Sequence, residues 1–330
     1  MEENEKKQQK KRFNIFDWYY RQGKGSDKAD INALKDPSII NFFKLIGQKL
    51  GKLISANLVM VFGNFPIFFI LIAMSNILSE RSVAPLYQAW GPLYGAMTSV
   101  DSSQLISPLM GVFAPHTTVS VINTPTIVFY CLGALILFTW GFTKIGTTYL
   151  YRNMMSGEPV FPLSDTFYII KRNIKQSLIL GVIDIVIIAM FAYNIYFLSI
   201  NYNASTLNAV MLFLTGCMAL LYSFARPYAY IMVFTFDLKL RAIIKNALFF
   251  TILGVKRNLL SLAGTILLVA INFFIFQLYT PLGLLFPFVI TLSIGDFMAV
   301  YAAYPNIIKY MMDEKDAYAV INKTHLEDEE

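Results

Sequence analysis

Charge is scarce in this chain. Asp, Glu, Lys and Arg make up 15% of its 330 residues, where a soluble domain carries about 25%. Cysteine and histidine are scarcer still, at two each. Cys131 and Cys217 lie inside apolar runs and offer neither a disulfide framework nor metal-ligand spacing. His116 and His325 stand too far apart to build a metal site. The sequence has no His-Glu-x-x-His, no Walker loop and no glycine-rich dinucleotide fingerprint. Asp184 follows Ile183, and Ser293-Ile294-Gly295-Asp296 lacks the first glycine of the Gly-x-Gly-Asp pattern of intramembrane aspartyl proteases. These absences argue against an enzyme and against a resident metal or cofactor. The first apolar run begins near Ile54, too late for a cleavable signal peptide.

What replaces charge is apolar surface. Hydrophobic residues make up 56% of the chain and aromatics 15%. A bilayer hides such surface directly, because about 20 apolar residues in a helix span its hydrocarbon core. Six runs have that length: 54–78, 126–150, 177–200, 207–232, 259–280 and 284–304. Lipid offers no partners to backbone N–H and C=O groups, so each run is predicted to be a helix. The expected fold is all-α, a polytopic membrane bundle of six transmembrane helices.

Lys and Arg orient the bundle. Residues 1–53 carry twelve, 144–176 five, 226–258 six and the segment after the last run three, whereas 79–125 carries only Arg81. The positive-inside rule then predicts both termini in the cytoplasm. Residues 1–37 read as a flexible basic cytoplasmic segment, 38–313 as the membrane domain and 314–330 as an acidic cytoplasmic tail. The stretch 38–52 alternates apolar and basic residues like a helix lying on the inner surface. The segment 79–125 contains five prolines and reads as an extracytoplasmic cap, with a short helix near 105–113. The basic residues form no single face, which excludes nucleic acid as a partner and leaves the lipid bilayer.

Four charges fall inside the apolar runs: Lys144, Asp184, Arg226 and Asp296. Counted from the inner helix ends, all four lie at about 10–14 Å depth. An unpaired charge there costs about 2.5–3.5 kcal/mol or more. The four sum to zero, so they are expected to form one polar cluster with Arg226 on Asp184 or Asp296. Such a cluster is either an interhelical lock, with Lys144 and Arg226 snorkelling, or a site for a solute, ion or proton. Asn64, Asn194, Asn272 and Gln277 read as helix–helix hydrogen-bond partners. Pro227 is expected to kink the fourth span, and Pro66 the first.

Three segments resemble one another: Lys171-Arg172-Asn173, Lys256-Arg257-Asn258 and, more loosely, Lys52 through Asn57. Each follows an amphipathic stretch and opens an apolar run. This pattern suggests three tandem helical hairpins in parallel orientation.

Several blocks carry a resemblance to a family. They are Asn57-Leu58 through Asn64-Phe65-Pro66-Ile67-Phe68; Gly141-Phe142-Thr143-Lys144-Ile145-Gly146-Thr147-Thr148-Tyr149-Leu150-Tyr151-Arg152-Asn153; Ser164-Asp165-Thr166-Phe167 through Lys171-Arg172-Asn173; and Arg226-Pro227-Tyr228 through Phe236-Asp237-Leu238. Together they resemble the YesL-like family of bacterial membrane proteins, found mostly in Firmicutes. That family usually has Gly-Pro where this chain has Gly141-Phe142, which puts a bend there in doubt. The resemblance implies a location in the bacterial cytoplasmic membrane and a role beside carbohydrate ABC transporters, since such genes often neighbour the family. The leading reading is therefore a non-enzymatic accessory or regulatory component of carbohydrate uptake. A second is a small-solute transporter or channel using the polar cluster, and a third is a membrane-embedded enzyme.

Overall fold

A computed structural model describes residues 37–75, 80–85, 116–121 and 123–312. The first helix, α1 (Ile39–Gly63), starts at Ser38, whose side-chain oxygen accepts from the Asn41 N–H. This satisfies one of the first-turn donors that a helix leaves unpaired. A new helix, α2 (Pro66–Met74), begins at Pro66, a first-turn position where a missing N–H costs nothing. Two short antiparallel strands follow, β1 (Glu80–Pro85) and β2 (His116–Val121), with Glu80 opposite Val121 and Pro85 opposite His116. Helix α3 (Thr124–Gly133) is capped by Asn123, which accepts from the Thr126 N–H at 3.2 Å.

The remaining elements are helical. They are α4 (Ile136–Met155), α5 (Pro162–Arg172), α6 (Ile174–Ile200), α7 (Thr206–Thr235), α8 (Leu240–Leu253), α9 (Val255–Leu278), α10 (Thr280–Phe286) and α11 (Leu292–Met311). A π-helical turn, Pro287–Thr291, joins α10 to α11. The described residues form two compact units, one from residues up to Asn64 and from Leu137 onward, the other within 65–136.

Six helical stretches are long and apolar enough to cross a membrane: Ile39–Gly63, Thr124–Met155, Ile174–Ile200, Thr206–Thr235, Val255–Leu278 and Thr280–Met311. The protein is an all-α helical bundle of the multi-pass membrane class. Its surface agrees, since Phe213, Leu267, Phe273 and Phe274 are all exposed on spanning helices. In lipid such side chains meet hydrocarbon rather than water.

The first run breaks between Gly63 and Pro66, where a kink is expected, and Lys49 kinks α1 between the surface stretch and the span. The structure differs from expectation in three places. The second run is interrupted between Gly133 and Ile136. The sixth contains the π turn. The outer segment holds two strands; the short helix expected at 105–113 lies outside the described residues. Pro227 stands inside α7, which continues to Thr235. Helix α4 likewise runs through Phe142 without a break.

Two glycines set one helix contact. A Cβ at Gly181 would lie 2.4 Å from the Cα of Gly141, and one at Gly141 would lie 2.1 Å from the Ser177 carbonyl oxygen. Helices α4 and α6 therefore touch backbone to backbone there, as only glycine permits.

Three backbone breaks share one conformation. Lys49 interrupts α1 at φ −105°, ψ 16°. Asn173 separates α5 from α6 at −124°, 29°. Gly254 separates α8 from α9 at −92°, 12°. All three lie near the sparsely populated bridge region. Three residues beyond each break stands a long-chain donor. Lys52 Nζ donates to the carbonyl of Val160 at 2.9 Å, Gln176 Nε2 to that of Leu238 at 3.1 Å, and Arg257 Nη2 to that of Pro37 at 3.4 Å.

Each acceptor precedes a helix by two residues: Val160 before α5, Leu238 before α8, Pro37 before α1. The first repeat thus clasps the second, the second the third, and the third the first. The contacts form a closed ring that links the three expected hairpins. The register differs from the one suggested by the basic-Asn motifs. Measured from the breaks, Asn57 lies eight residues on, Asn258 four, and Asn173 none.

Candidate functional site

The four intramembrane charges meet, as two ion pairs. Asp184 on α6 is buried, and its carboxylate accepts five hydrogen bonds. Arg226 of α7 donates side-on, Nε to Oδ1 at 2.8 Å and Nη2 to Oδ2 at 2.9 Å. Tyr222 donates to Oδ1 at 2.7 Å. Trp140 Nε1 and the Tyr230 hydroxyl donate to Oδ2 at 2.7 and 3.1 Å. A carboxylate offers about four lone-pair sites, so Asp184 is saturated. Tyr222, Arg226 and Tyr230 recur at a spacing of four along α7, which places them on one face.

The second pair is more open. Lys144 Nζ on α4 donates to Asp296 Oδ2 on α11 at 2.5 Å. The Lys144 side chain is 11% exposed and that of Asp296 32%, against 1% for Asp184. Trp140 connects the pairs. The Lys144 ammonium lies 5.6 Å and the Arg226 guanidinium 5.8 Å from its ring centre, within cation–π range. Lys144 on α4 and Arg226 on α7 thus lie against one indole, and Lys144 carries the contact on to Asp296 on α11.

Sequence reasoning found the four charges and one of the pairings. Lys144 lies against Asp296 and the Trp140 ring instead of extending to a surface. Trp140, Tyr222 and Tyr230 were missed, although Tyr222 and Tyr230 could have been found by their four-residue offsets from Arg226. Asn64 and Asn194 donate to carbonyls of their own helices, at Met60 and Met190, so neither links two helices through its amide N–H.

Other amides bridge helices instead. Buried Asn57 donates to the carbonyls of Pro287 and Phe288 at 3.0 and 2.7 Å and accepts from the Ser293 N–H at 2.8 Å. The π turn frees backbone groups from the ordinary ladder, and Asn57 takes up three of them. At the α8–α9 break, Tyr228 donates to Asn258 Oδ1 at 3.1 Å and accepts from Asn306 Nδ2 at 3.0 Å. A Cβ at Gly254 would fall 2.2 Å from the Tyr228 hydroxyl. Among the described residues no His, Cys, Asp and Glu cluster could hold a metal ion. No family model, curated protein or solved structure matches the chain.

Proposed function

We propose that the protein is a component of the bacterial cytoplasmic membrane, with both termini in the cytoplasm, that serves carbohydrate uptake as an accessory or regulatory subunit without catalysing a reaction. The observation that carries this reading is the saturation of Asp184. A carboxylate with five donors has no free lone pair for a solute, so this part of the bundle acts as a fixed scaffold. The Lys and Arg distribution supports the orientation. The resemblance to YesL-like proteins supports the bacterial membrane and the link to carbohydrate ABC transporters.

Copurification from native membranes tests the proposal. The expected result is recovery of a carbohydrate ABC-transporter permease with the tagged chain. Recovery of the chain alone, together with solute flux in liposomes, overturns it. Asp296 favours a second reading, a small-solute transporter or channel. Among the described residues it accepts one hydrogen bond, from Lys144, and its side chain is one-third exposed. Under that reading Asp296→Asn abolishes liposome flux.

A further inference from the structure

Helix α8 lies between two spans, α7 and α9, and therefore rests at one membrane surface. It is held at both ends. The Leu238 carbonyl, two residues upstream, accepts from Gln176, and Gly254 sits against Tyr228 and Asn306 downstream. Ile243, Ala247, Phe250 and Thr251 are buried. Beside this buried face runs a shallow open groove lined by Leu240, Arg241, Ile244, Lys245 and Leu248.

Two rows run along this groove. Leu240, Ile244 and Leu248 recur every four residues and form an apolar track. Arg241 and Lys245 stand one turn apart beside it, both exposed, with no ion-pair partner among the described residues. The stretch 236–258 contains one carboxylate, Asp237, against Lys239, Arg241, Lys245, Lys256 and Arg257. Beyond the groove, Leu248, Phe249 and Ile252 are 51%, 61% and 72% exposed. An apolar track next to paired cations at a bilayer surface matches a molecule with a hydrocarbon chain and an anionic head.

We propose that this groove is a binding site for an anionic phospholipid. Arg241 and Lys245 engage the phosphate, the first through a planar fork and the second as a point charge. One acyl chain lies along Leu240, Ile244 and Leu248. A zwitterionic headgroup would bring a second cation toward a surface that offers it only Asp237. Because α8 is clasped at its head and locked at its end, the groove is preformed on this one helix.

Native mass spectrometry of the full chain, titrated with phosphatidylglycerol or phosphatidylcholine, tests the site. The wild type is expected to retain more phosphatidylglycerol. At about 1 kcal/mol per cation near the surface, Arg241→Gln with Lys245→Gln weakens that binding about thirtyfold. The charge-keeping pair Arg241→Lys with Lys245→Arg retains the preference. Equal binding of the two lipids by the wild type overturns the proposal, as does an intact preference in the glutamine double variant. Should the double variant not fold, Lys245→Gln alone is expected to lose about fivefold, and no loss overturns the proposal equally.

Discussion

Arg257 donates to the carbonyl of Pro37 across 3.4 Å and so joins the third repeat back to the first. The other two clasps connect neighbours in chain order, but this one spans nearly the whole described chain. It is reinforced by Tyr301, whose hydroxyl donates to the Ser38 carbonyl at 2.9 Å, while Arg257 also reaches the Tyr301 carbonyl at 3.4 Å. Arg257→Met is expected to loosen the start of α1 without unfolding the bundle. Hydrogen exchange should rise in residues 39–48 and stay level in α6 and α7. Uniform exchange across α1, α6 and α7 would show that the clasp does not hold this helix.

Lys52 makes the corresponding clasp from a buried position, 6% exposed. Lys52→Met leaves the Val160 carbonyl without this donor, at a cost of about 1–3 kcal/mol. Thermal unfolding in detergent should fall by several degrees, and Lys52→Arg should restore much of the loss. A Met variant as stable as the wild type would separate the clasp from stability.

The Gly141–Gly181 contact leaves no room for a methyl group. Gly181→Ala should push α4 and α6 apart and destabilise the protein by about 1–3 kcal/mol or more, since the obstructing atoms are backbone. Gly216, with nothing within 4 Å of a built Cβ, serves as the control, where alanine should be neutral or stabilising. Equal effects at the two positions would mean that α4 and α6 do not meet as described.

Hydropathy and charge made much of this arrangement legible. The six runs appear because spanning needs about 20 apolar residues in a row, and the cluster appears because charges inside those runs must be paired. The break at Pro66 was legible as a kink, because proline removes a ladder donor, and a new helix starts there. The π turn was hidden for a physical reason. Pro287 opens a π turn that keeps the same composition as the helices around it. The ring of clasps was hidden because its acceptors are backbone carbonyls at Pro37, Val160 and Leu238, and a carbonyl has no residue type to read. Asn57 looked like part of a motif, whereas its role comes from the distant π turn it completes. Asn57→Leu should therefore cost about 3 kcal/mol or more by leaving three backbone groups unmet.

Asp184 and Arg226 allow a test that separates scaffold from site. Asp184→Asn removes the charge that balances Arg226 and leaves a buried cation facing polar donors, at a cost of about 3–5 kcal/mol. Replacing both residues with leucine removes the imbalance, and stability should recover by much of that amount. Trp140, Tyr222 and Tyr230 would still lose their common acceptor, so recovery should be incomplete. A fixed scaffold tolerates the double replacement: the protein should still reach the membrane and still copurify with its partner. Loss of partner recovery with stability restored would mean that the ion pair itself performs the function, and the accessory reading would fall.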